Sequence, residues 1–358
     1  MRRFTVPVLL AVLALVPVTM AHREAMDLYV QSVIMFMGIN IILSSSLNIV
    51  NGYMGEFACG HAAFMAIGAY VSSILNVLLF VSDRVFGPPL LSPELALYGF
   101  PFVILVGGLA AALVGALVAI PSFKTRGDYL AIITIAANFI VTSTIINIDV
   151  IGGSRGFMGM RQIVFAMEDV VFLPWMLIWS IAFTYFSIWL IRRYVSSTYG
   201  KGIVAINQDE VAAEIMSVNT NRMKLVAFMV SSGLAGLAGG LFAHILGYIN
   251  PGSFGILKST ESLVMVYLGG MGSLSGSVIS AVLFTLLLEG FRFAIPWIND
   301  MAHLVGAIPD GYQITQVWKW VMIPLILVLL MQFRPEGIMG NQELSDVFPR
   351  LKRWYRFK

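Results

Sequence analysis

The chain has 358 residues, of which 58% are hydrophobic and 11% are charged, and its formal net charge is +3. Soluble domains carry about 25% charged residues, so this composition excludes a soluble globular fold. The small net charge, with most basic residues in short loops and at the C-terminus, does not indicate nucleic-acid binding. The one cysteine, Cys59, excludes an intrachain disulfide and a multi-cysteine metal site.

Long apolar runs follow one another along the chain. A helix needs about 20 apolar residues to cross the hydrocarbon core, and backbone groups in lipid must be paired within a helix or a closed barrel. The runs lack the alternation of barrel strands. We therefore predict an all-α, polytopic transmembrane helical bundle with about ten membrane segments. The predicted segments cover residues 4–21, 27–49, 60–81, 98–120, 128–148, 171–191, 225–249, 259–272, 275–295 and 314–333.

The N-terminal segment has two interpretations. Arg2 and Arg3 precede an apolar run over residues 6–20, as in a secretory signal peptide. A retained first membrane helix is the favoured alternative, because no clear Ala-x-Ala cleavage site precedes Ala21. Both interpretations leave residue 22 outside the cytoplasm.

Basic residues orient the segments, since cytoplasmic loops are enriched in Lys and Arg. Ten crossings place four basic groups on one side and predict that both termini are cytoplasmic. These groups are Arg2 and Arg3; Lys124 and Arg126; Arg192, Arg193, Lys201, Arg222 and Lys224; and Arg334, Arg350, Lys352, Arg353, Arg356 and Lys358. The opposite loops carry fewer bases, namely Arg23, Arg84, Arg155 and Arg161.

Glycines interrupt the apolar pattern at residues 48–64 and 269–276. Such interruptions allow backbone bends and close helix approach, and in transporters they indicate a substrate path. Tight helix packing is the alternative for both, and it is the interpretation of the G-x-x-x-G at Gly236–Gly240. Segment 259–272 is short enough to be re-entrant. The candidate translocation-path residues are Asn48, Gly52, Gly55, Glu56, His61, Gly269 and Gly272.

Polar residues near membrane depth are costly and often functional. Glu56, Cys59 and His61 match no strong metal-ligand spacing, so we predict no metal site and no cofactor. His61 is interpreted as a residue that starts a helix or packs against a neighbour. The wider set of such polar residues is Glu56, His61, Asn138, His244, Glu261 and Glu289.

A polar segment at residues 200–224 separates two apolar runs. Asn207 is predicted to cap a short helix whose first turn holds Asp209 and Glu210, where acidic side chains suit the helix dipole. Gly200 and Gly202 would allow a bend before it. Apolar side chains recur at helical spacing at Val211, Ile215 and Val218.

This short helix is expected to seat in a groove of a cytoplasmic partner; a solvated loop on the membrane surface is the alternative. No phosphate-binding loop occurs in the chain, so we predict no ATPase activity and no catalytic residues. We predict a transmembrane domain at residues 1–340, with a cytoplasmic loop at 192–224, and a basic cytoplasmic tail at 341–358. The candidate residues for coupling to this partner are Gly200, Asn207, Asp209, Glu210, Ala213, Glu214 and Met216.

Taken together, several motifs in chain order resemble the permease subunits of branched-chain amino acid ABC importers. The motifs are Asn48-x-x-x-Gly52-Tyr53-x-Gly55 with Gly60-His61-Ala62-Ala63-Phe64, Arg126-Gly127-Asp128-Tyr129, Gly152-Gly153-Ser154-Arg155-Gly156, residues 205–216, residues 235–244, Gly269-Gly270-Met271-Gly272-Ser273, and Phe333-Arg334-Pro335-Glu336-Gly337. The chain departs from the family pattern at Ser217, where glycine is usual, near Asn138, where an acidic residue is frequent, and at Cys59, where leucine is usual.

The resemblance implies a multi-pass subunit of the bacterial inner membrane. It implies a second homologous permease, two cytoplasmic ABC ATPases and a periplasmic substrate-binding protein as partners, besides membrane lipid. Residues 1–340 would then be the permease domain, the loop at 192–224 the coupling loop, and the segment around residues 208–216 the coupling helix. The candidate coupling residues would act on an ATPase. A urea or short-amide ABC permease and an ion-coupled secondary transporter remain alternatives. A rhomboid-like protease is disfavoured, because Ser273 stands where the first glycine of a G-x-S-G motif ending at Ser275-Gly276 would be.

Overall fold

The protein is described by a computed structural model over residues 15–23, 25–82, 86–123, 129–304, 315–334, 336–340 and 342–347. Most of the first predicted segment, Lys124, Arg126 and most of the tail at 341–358 lie outside the described residues. Residues 15–22 are helical. The helices that follow are α1 Leu28–Asn48, α2 His61–Phe80, α3 Ala96–Ser122, α4 Tyr129–Ile146, α5 Met160–Val170, α6 Trp175–Ser196, α7 Thr198–Gln208, α8 Glu210–Ile215, α9 Thr220–Leu246, α10 Ile256–Gly269, α11 Leu274–Leu304, α12 Lys319–Phe333 and α13 Leu344–Val347.

The predicted all-α helical membrane bundle is confirmed. Within the described ranges, 7 helical segments are long and apolar enough to cross a membrane. They are Leu28–Tyr53, His61–Phe80, Pro93–Ser122, Tyr129–Ile146, Trp175–Ser196, Thr220–Leu246 and Leu274–Met301. The total of ten crossings and the cytoplasmic placement of both termini stay predictions.

Two predicted segments are short in the structure. The eighth, expected at 259–272, is α10, which has 14 residues and ends at Gly269. At 1.5 Å per residue it is about 21 Å long, less than the hydrocarbon thickness of about 30 Å. The last, expected at 314–333, is α12 with 15 residues.

Several helix boundaries differ from the predicted ones. The ninth segment was placed at 275–295, whereas α11 continues to Leu304. The sixth segment was placed at 171–191, but residues 171–174 separate α5 from α6, and α6 begins at Trp175 after Pro174. The seventh was placed at 225–249, whereas α9 begins at Thr220 because the Asn219 side chain accepts a hydrogen bond from the Arg222 backbone N–H at 3.0 Å. It ends at Gly247, whose φ of 71° provides the left-handed C-cap.

Helix α9 lies at the centre of the bundle and packs against α1, α2 and α3. A Cβ atom on Gly239 would overlap the Met65 carbonyl oxygen, and one on Gly68 would overlap the backbone of Gly236. The glycines therefore let two helix backbones touch, as small residues do in membrane bundles. The predicted packing role of Gly236–Gly240 is confirmed.

The loops after α4 and α9 meet in a two-stranded antiparallel sheet. Strand β1, Phe157–Met158, pairs with β2, Tyr248–Ile249, so that Phe157 lies opposite Ile249. The Tyr248 hydroxyl donates to the Arg155 carbonyl at 2.7 Å. The charge pattern predicts that these loops lie on the outer side of the membrane, opposite α7 and α8.

Candidate coupling and translocation site

The polar segment predicted as one short helix is two helices broken at Asp209. Helix α7 starts after Ser197, whose hydroxyl oxygen accepts from the Gly200 N–H at 3.3 Å. Gly200 and Gly202 lie inside α7 and are buried, so they do not form the expected bend. Gly200 instead allows close packing against the carbonyls of Tyr194 and Val195.

The predicted capping role of Asn207 is wrong. Asp209 is the N-cap of α8: its backbone is extended, with a φ of −159°, and its carboxylate accepts from the Ala212 N–H at 3.0 Å. Asn207 is the penultimate residue of α7 and points to the membrane domain. Its amide nitrogen donates to the backbone carbonyls of Gly52 at 3.1 Å and Tyr53 at 3.4 Å. Both residues suit a cap, and local propensity does not distinguish them.

An apolar patch on α8 and its C-cap residue, Met216, faces away from the bundle. The side chains of Val211, Ile215 and Met216 are 64%, 77% and 78% exposed. Ala213, on the opposite face, is buried against the bundle. The Glu214 carboxylate accepts from the Thr220 hydroxyl at 3.0 Å and so joins α8 to the start of α9. The helix is thus seated through Ala213 and presents its larger apolar side chains outward.

Lys224 is an ion-pair partner that the charge pattern did not single out. Its ammonium lies 2.7 Å from a Glu56 oxygen and 2.8 Å from a Glu210 oxygen, and its side chain is 9% exposed. Lys224 therefore bridges a candidate path residue and a candidate coupling residue. Sequence analysis used Lys224 only to assign orientation, because its partners are distant or lie in a different element.

Ser217 is the one non-glycine residue with a positive φ, 66°, in the part of the chain that the structure describes. Its N–H donates to the Glu214 carbonyl at 2.9 Å, and the Val218 N–H donates to the Ala213 carbonyl at 3.0 Å, which ends α8. The left-handed conformation explains why glycine is usual at this position in the resembled family.

Replacing Ser217 with valine is expected to lower the free energy of unfolding by about 1–2 kcal/mol, because a β-branched side chain strains a left-handed backbone. Replacing it with glycine removes that strain and is expected to cause no such loss. Thermal unfolding of the two variants in detergent compares them directly. Equal destabilisation by valine and glycine would show that the backbone conformation is not the cause.

Three of the candidate path residues meet where two helix breaks face each other. One break follows α1 at residues 49–60, and the other lies between α10 and α11 at residues 270–273. After Asn48, α1 continues as a π-helical turn, Ile49–Tyr53. The Asn48 side chain accepts from the Gly272 N–H at 3.0 Å and donates to the Ser273 carbonyl at 2.9 Å and the Ser277 hydroxyl at 2.7 Å. Gly52 lies directly against Asn48 and Gly272, with no room for a Cβ atom.

The remaining path candidates surround this contact. Gly55 has a φ of 76° and lies against the Asn207 amide. Gly269 ends α10 and packs on the backbone of Gly276, in the first turn of α11. His61 is the first residue of α2, as expected, and is buried. Its Nε2 lies 2.8 Å from the Ser46 hydroxyl oxygen, and that hydroxyl donates to Leu43, so Nε2–H is the donor to Ser46.

The other polar residues noted near membrane depth have internal partners, with one exception. His244 donates from Nδ1 to the Gly240 carbonyl at 2.7 Å, so its Nε2 accepts from Asn76 at 2.9 Å. Glu261 pairs with Lys258 at 2.7 Å. Glu289 accepts from the Tyr29 hydroxyl. The exception is Asn138, whose buried side-chain oxygen, Oδ1, has no hydrogen-bond partner among the described residues.

The side-chain carboxylate of Glu343, in the C-terminal part of the chain, also reaches this site, and sequence analysis missed it. Glu343 is 4% exposed. One of its oxygens accepts from the Tyr53 hydroxyl at 3.1 Å and the Leu274 N–H at 2.8 Å, and the other accepts from the Ser275 N–H at 3.2 Å and hydroxyl at 2.6 Å. The domain boundary placed between residues 340 and 341 stays a prediction, but Glu343 packs on the membrane domain.

Comparison with known proteins agrees with this architecture. Residues 29–331 match the family described as the branched-chain amino acid transport system / permease component. No solved structure matches the chain.

Three relatives are named LivM. The chain is 28% identical to the high-affinity branched-chain amino acid transport system permease protein LivM of Escherichia coli (strain K12), across 93% of this chain and 74% of that protein. For the LivM protein of Salmonella typhimurium the identity is also 28%, over 89% of this chain and 71% of that protein. The probable LivM of Methanocaldococcus jannaschii is 23% identical, over 90% of this chain and 96% of that protein.

The matched region covers more than half of the chain and includes α1 to α11. It contains both helix breaks and the whole polar segment between α6 and α9. The chain is therefore a multi-pass membrane protein that belongs to the branched-chain amino acid transport permease family, a family of transport subunits that are not enzymes.

Proposed function

We propose that this chain is one permease subunit of an ATP-driven importer of branched-chain amino acids in the bacterial inner membrane. Its partners are a second homologous permease, two cytoplasmic ATPases and a periplasmic protein that delivers the substrate. Family membership supports the substrate class. The observation that carries the ATPase coupling is the exposed apolar patch of Val211, Ile215 and Met216 on α8 and its exit.

The exposure of this patch supports docking in a groove of a partner. Contiguous exposed apolar side chains mark interaction sites, and an amphipathic helix seats its apolar face in a partner's groove. Helix α8 is short, but Asp209 caps it and Lys224 ties Glu210 to the membrane domain. A partner that moves α8 therefore pulls on a segment that is fixed at both ends.

The candidate coupling residues divide into two roles under this proposal. Val211, Ile215 and Met216 contact the ATPase, and only Met216 was among the residues expected to do so. Gly200, Asn207, Asp209, Glu210, Ala213 and Glu214 shape, cap or anchor the segment behind that surface. The candidate path residues at the two helix breaks line or gate the route of the substrate.

Reconstitution tests the proposal. The chain is co-expressed with the second permease, the two ATPases and the binding protein from its gene neighbourhood, and the complex is placed in proteoliposomes. We expect uptake of leucine that requires both ATP and the binding protein. Uptake of urea in place of leucine would overturn the substrate class. Transport by the purified chain alone under an ion gradient would overturn the ATP-driven mechanism.

Replacing Ile215 with aspartate is expected to weaken ATPase association by about 2 kcal/mol or more, because a charge replaces an apolar anchor at the centre of the contact. Co-purification of the ATPases with the tagged chain measures this. Val150→Asp is the matched control, since Val150 is 59% exposed and lies in the loop after α4. Unchanged ATPase recovery with Ile215→Asp would contradict the docking role of α8.

A further inference from the structure

The cytoplasmic end of α1, as oriented by charge, is completed by a residue from the coupling segment. The last carbonyls of a helix have no partner within the helix. Here the Gly52 and Tyr53 carbonyls accept from the Asn207 amide, 155 and 154 residues further along the chain. Gly52 and Tyr53 are buried, whereas Asn207 lies at the surface, next to the break before α8. Asn207 thus joins a surface segment to the buried end of a membrane helix.

The backbone after Tyr53 closes around the same amide. Gly55, with a φ of 76°, is in contact with the Asn207 side chain. The Asn51 side chain accepts from the Ala58 N–H at 3.2 Å and donates to the Ala58 carbonyl at 3.4 Å, which holds residues 51–58 as one turn. A displacement of Asn207 therefore moves this turn as a unit.

The turn is continuous with the second helix break. Gly52 also lies against the Asn48 side chain and the Gly272 backbone N–H, which are bonded to each other. Beyond Ala58, the Cys59 N–H donates to the Thr134 hydroxyl on α4 at 3.1 Å. Movement at Gly52 must consequently reach the α10–α11 break and the start of α2, where the candidate path residues lie.

A second contact joins the same two segments and is independent of Asn207. Lys224 holds Glu56, in the turn, and Glu210, on α8. This ion pair remains when Asn207 is replaced, so the segments stay next to each other. Loss of the Asn207 hydrogen bonds can therefore be separated from loss of the fold.

Resting on the function proposed above, we propose that Asn207 is the positioning residue that transmits ATPase movement from the coupling segment to the gate formed by the π-helical end of α1 and the α10–α11 break. Its amide hydrogen bonds to the Gly52 and Tyr53 carbonyls make the π-helical end of α1 move together with α7 and α8. A segment without this donor still binds the ATPases and stays beside the turn through Lys224, but its movement no longer displaces the Gly52 and Tyr53 carbonyls.

The experiment measures ATP hydrolysed per leucine imported by the reconstituted complex. Asn207→Leu keeps the approximate volume and removes the donor, and Asn207→Ala removes the donor without added bulk. We expect both to keep ATPase association and hydrolysis, and to raise the ratio of ATP to leucine by roughly tenfold. Asn147→Leu is the matched control, because Asn147 is exposed after the end of α4 and its amide donates to the Ser143 carbonyl, one turn earlier, at 2.7 Å.

Cys59 supplies a second readout that a purely structural role would not change. It is the one cysteine of the chain, it is half-buried, and burial raises the pKa of its thiol, so its reaction with maleimide is slow. In the unmodified complex we expect ATP to change the labelling rate of this chain. In the Asn207 variants the rate should no longer depend on ATP.

The outcomes separate this inference from the proposed function. Failure of the unmodified chain to bind ATPases or to import leucine with ATP would overturn the proposed function. If the unmodified complex works, and either Asn207 variant keeps a normal ATP-to-leucine ratio and ATP-dependent labelling of Cys59, the transmission role is wrong. If one of the two Asn207 variants fails to assemble with the ATPases, the result for the other variant decides whether Asn207 has the transmission role.

Discussion

Replacing Gly239 with alanine is expected to force α2 and α9 apart and to leave most of the protein unfolded. The new methyl group would overlap the Met65 carbonyl oxygen, which is backbone and cannot rotate away. Overpacking of a tight interface costs typically about 1–3 kcal/mol, and a backbone collision lies at the upper end of that range. In lipid this close packing is a main source of helix association. The measurement is thermal stability in detergent, followed by size-exclusion chromatography.

Two further glycines give a graded control for this substitution. A methyl group on Gly233, also in α9, would lie 3.2 Å from the Ala112 Cβ, so a small shift accommodates it. A methyl group on Gly290, in α11, meets nothing within 4 Å, and alanine is the better helix former by about 1 kcal/mol. We expect the order of stability to be Gly290→Ala, then Gly233→Ala, then Gly239→Ala. The same gain in stability at all three positions would mean that helix propensity, and not backbone contact, decides the effect.

The close packing at Gly239 is the kind of feature that sequence predicts well. Glycines at a spacing of four within an apolar helix have few uses besides close approach, so Gly236–Gly240 indicated packing without knowledge of the partner. The membrane segments were predictable for a similar reason, since each is a long local run. Their ends were less predictable: Val171–Pro174 continues the apolar run of α6, and only the structure separates it from the helix.

The candidate site was predictable in location but not in its contacts. Composition identified residues 200–224, and the spacing of Val211 and Ile215 identified a helical face. Asn207 was misassigned because its side-chain partners, Gly52 and Tyr53, lie about 155 residues earlier, whereas a cap is judged from the next three residues. Local rules describe what a residue can do within its own element, and this residue acts on another one.

The same limit explains why Glu343 went unnoticed. Its partners lie between 68 and 290 residues away, and it stands in a polar stretch that resembles an ordinary tail. Glu343 acts as the N-cap of α11, because the first N–H groups of a helix need acceptors from outside the helix. The neighbouring Ile338 and Met339 N–H groups donate to the Leu268 and Gly269 carbonyls at 2.9 and 3.1 Å, which completes the end of α10 as well.

Replacing Glu343 with alanine is therefore expected to unseat the C-terminal segment and destabilise both helix breaks. The variant removes a buried acceptor of four hydrogen bonds, and the N–H groups of Leu274 and Ser275 lose their partner at the start of α11. Hydrogen bonds to a charged group contribute about 1.5–3 kcal/mol each, and a lost helix cap alone costs about 0.5–2 kcal/mol. We expect a loss of about 3 kcal/mol or more, together with a loss of transport, because Tyr53 lies at the end of α1 beside Asn207.

Two variants distinguish this role from a general effect of charge in the tail. Glu336→Ala removes an exposed carboxylate from the same segment and is expected to leave stability unchanged. Glu343→Gln keeps the shape and one acceptor oxygen but turns an amide NH₂ toward the donors, so its stability should fall between those of the alanine variant and the unmodified chain. Unfolding temperatures in detergent rank the three. If Glu343→Ala unfolds at the same temperature as Glu336→Ala, Glu343 does not cap α11 and the helix breaks are held by Asn48 and Asn207 alone.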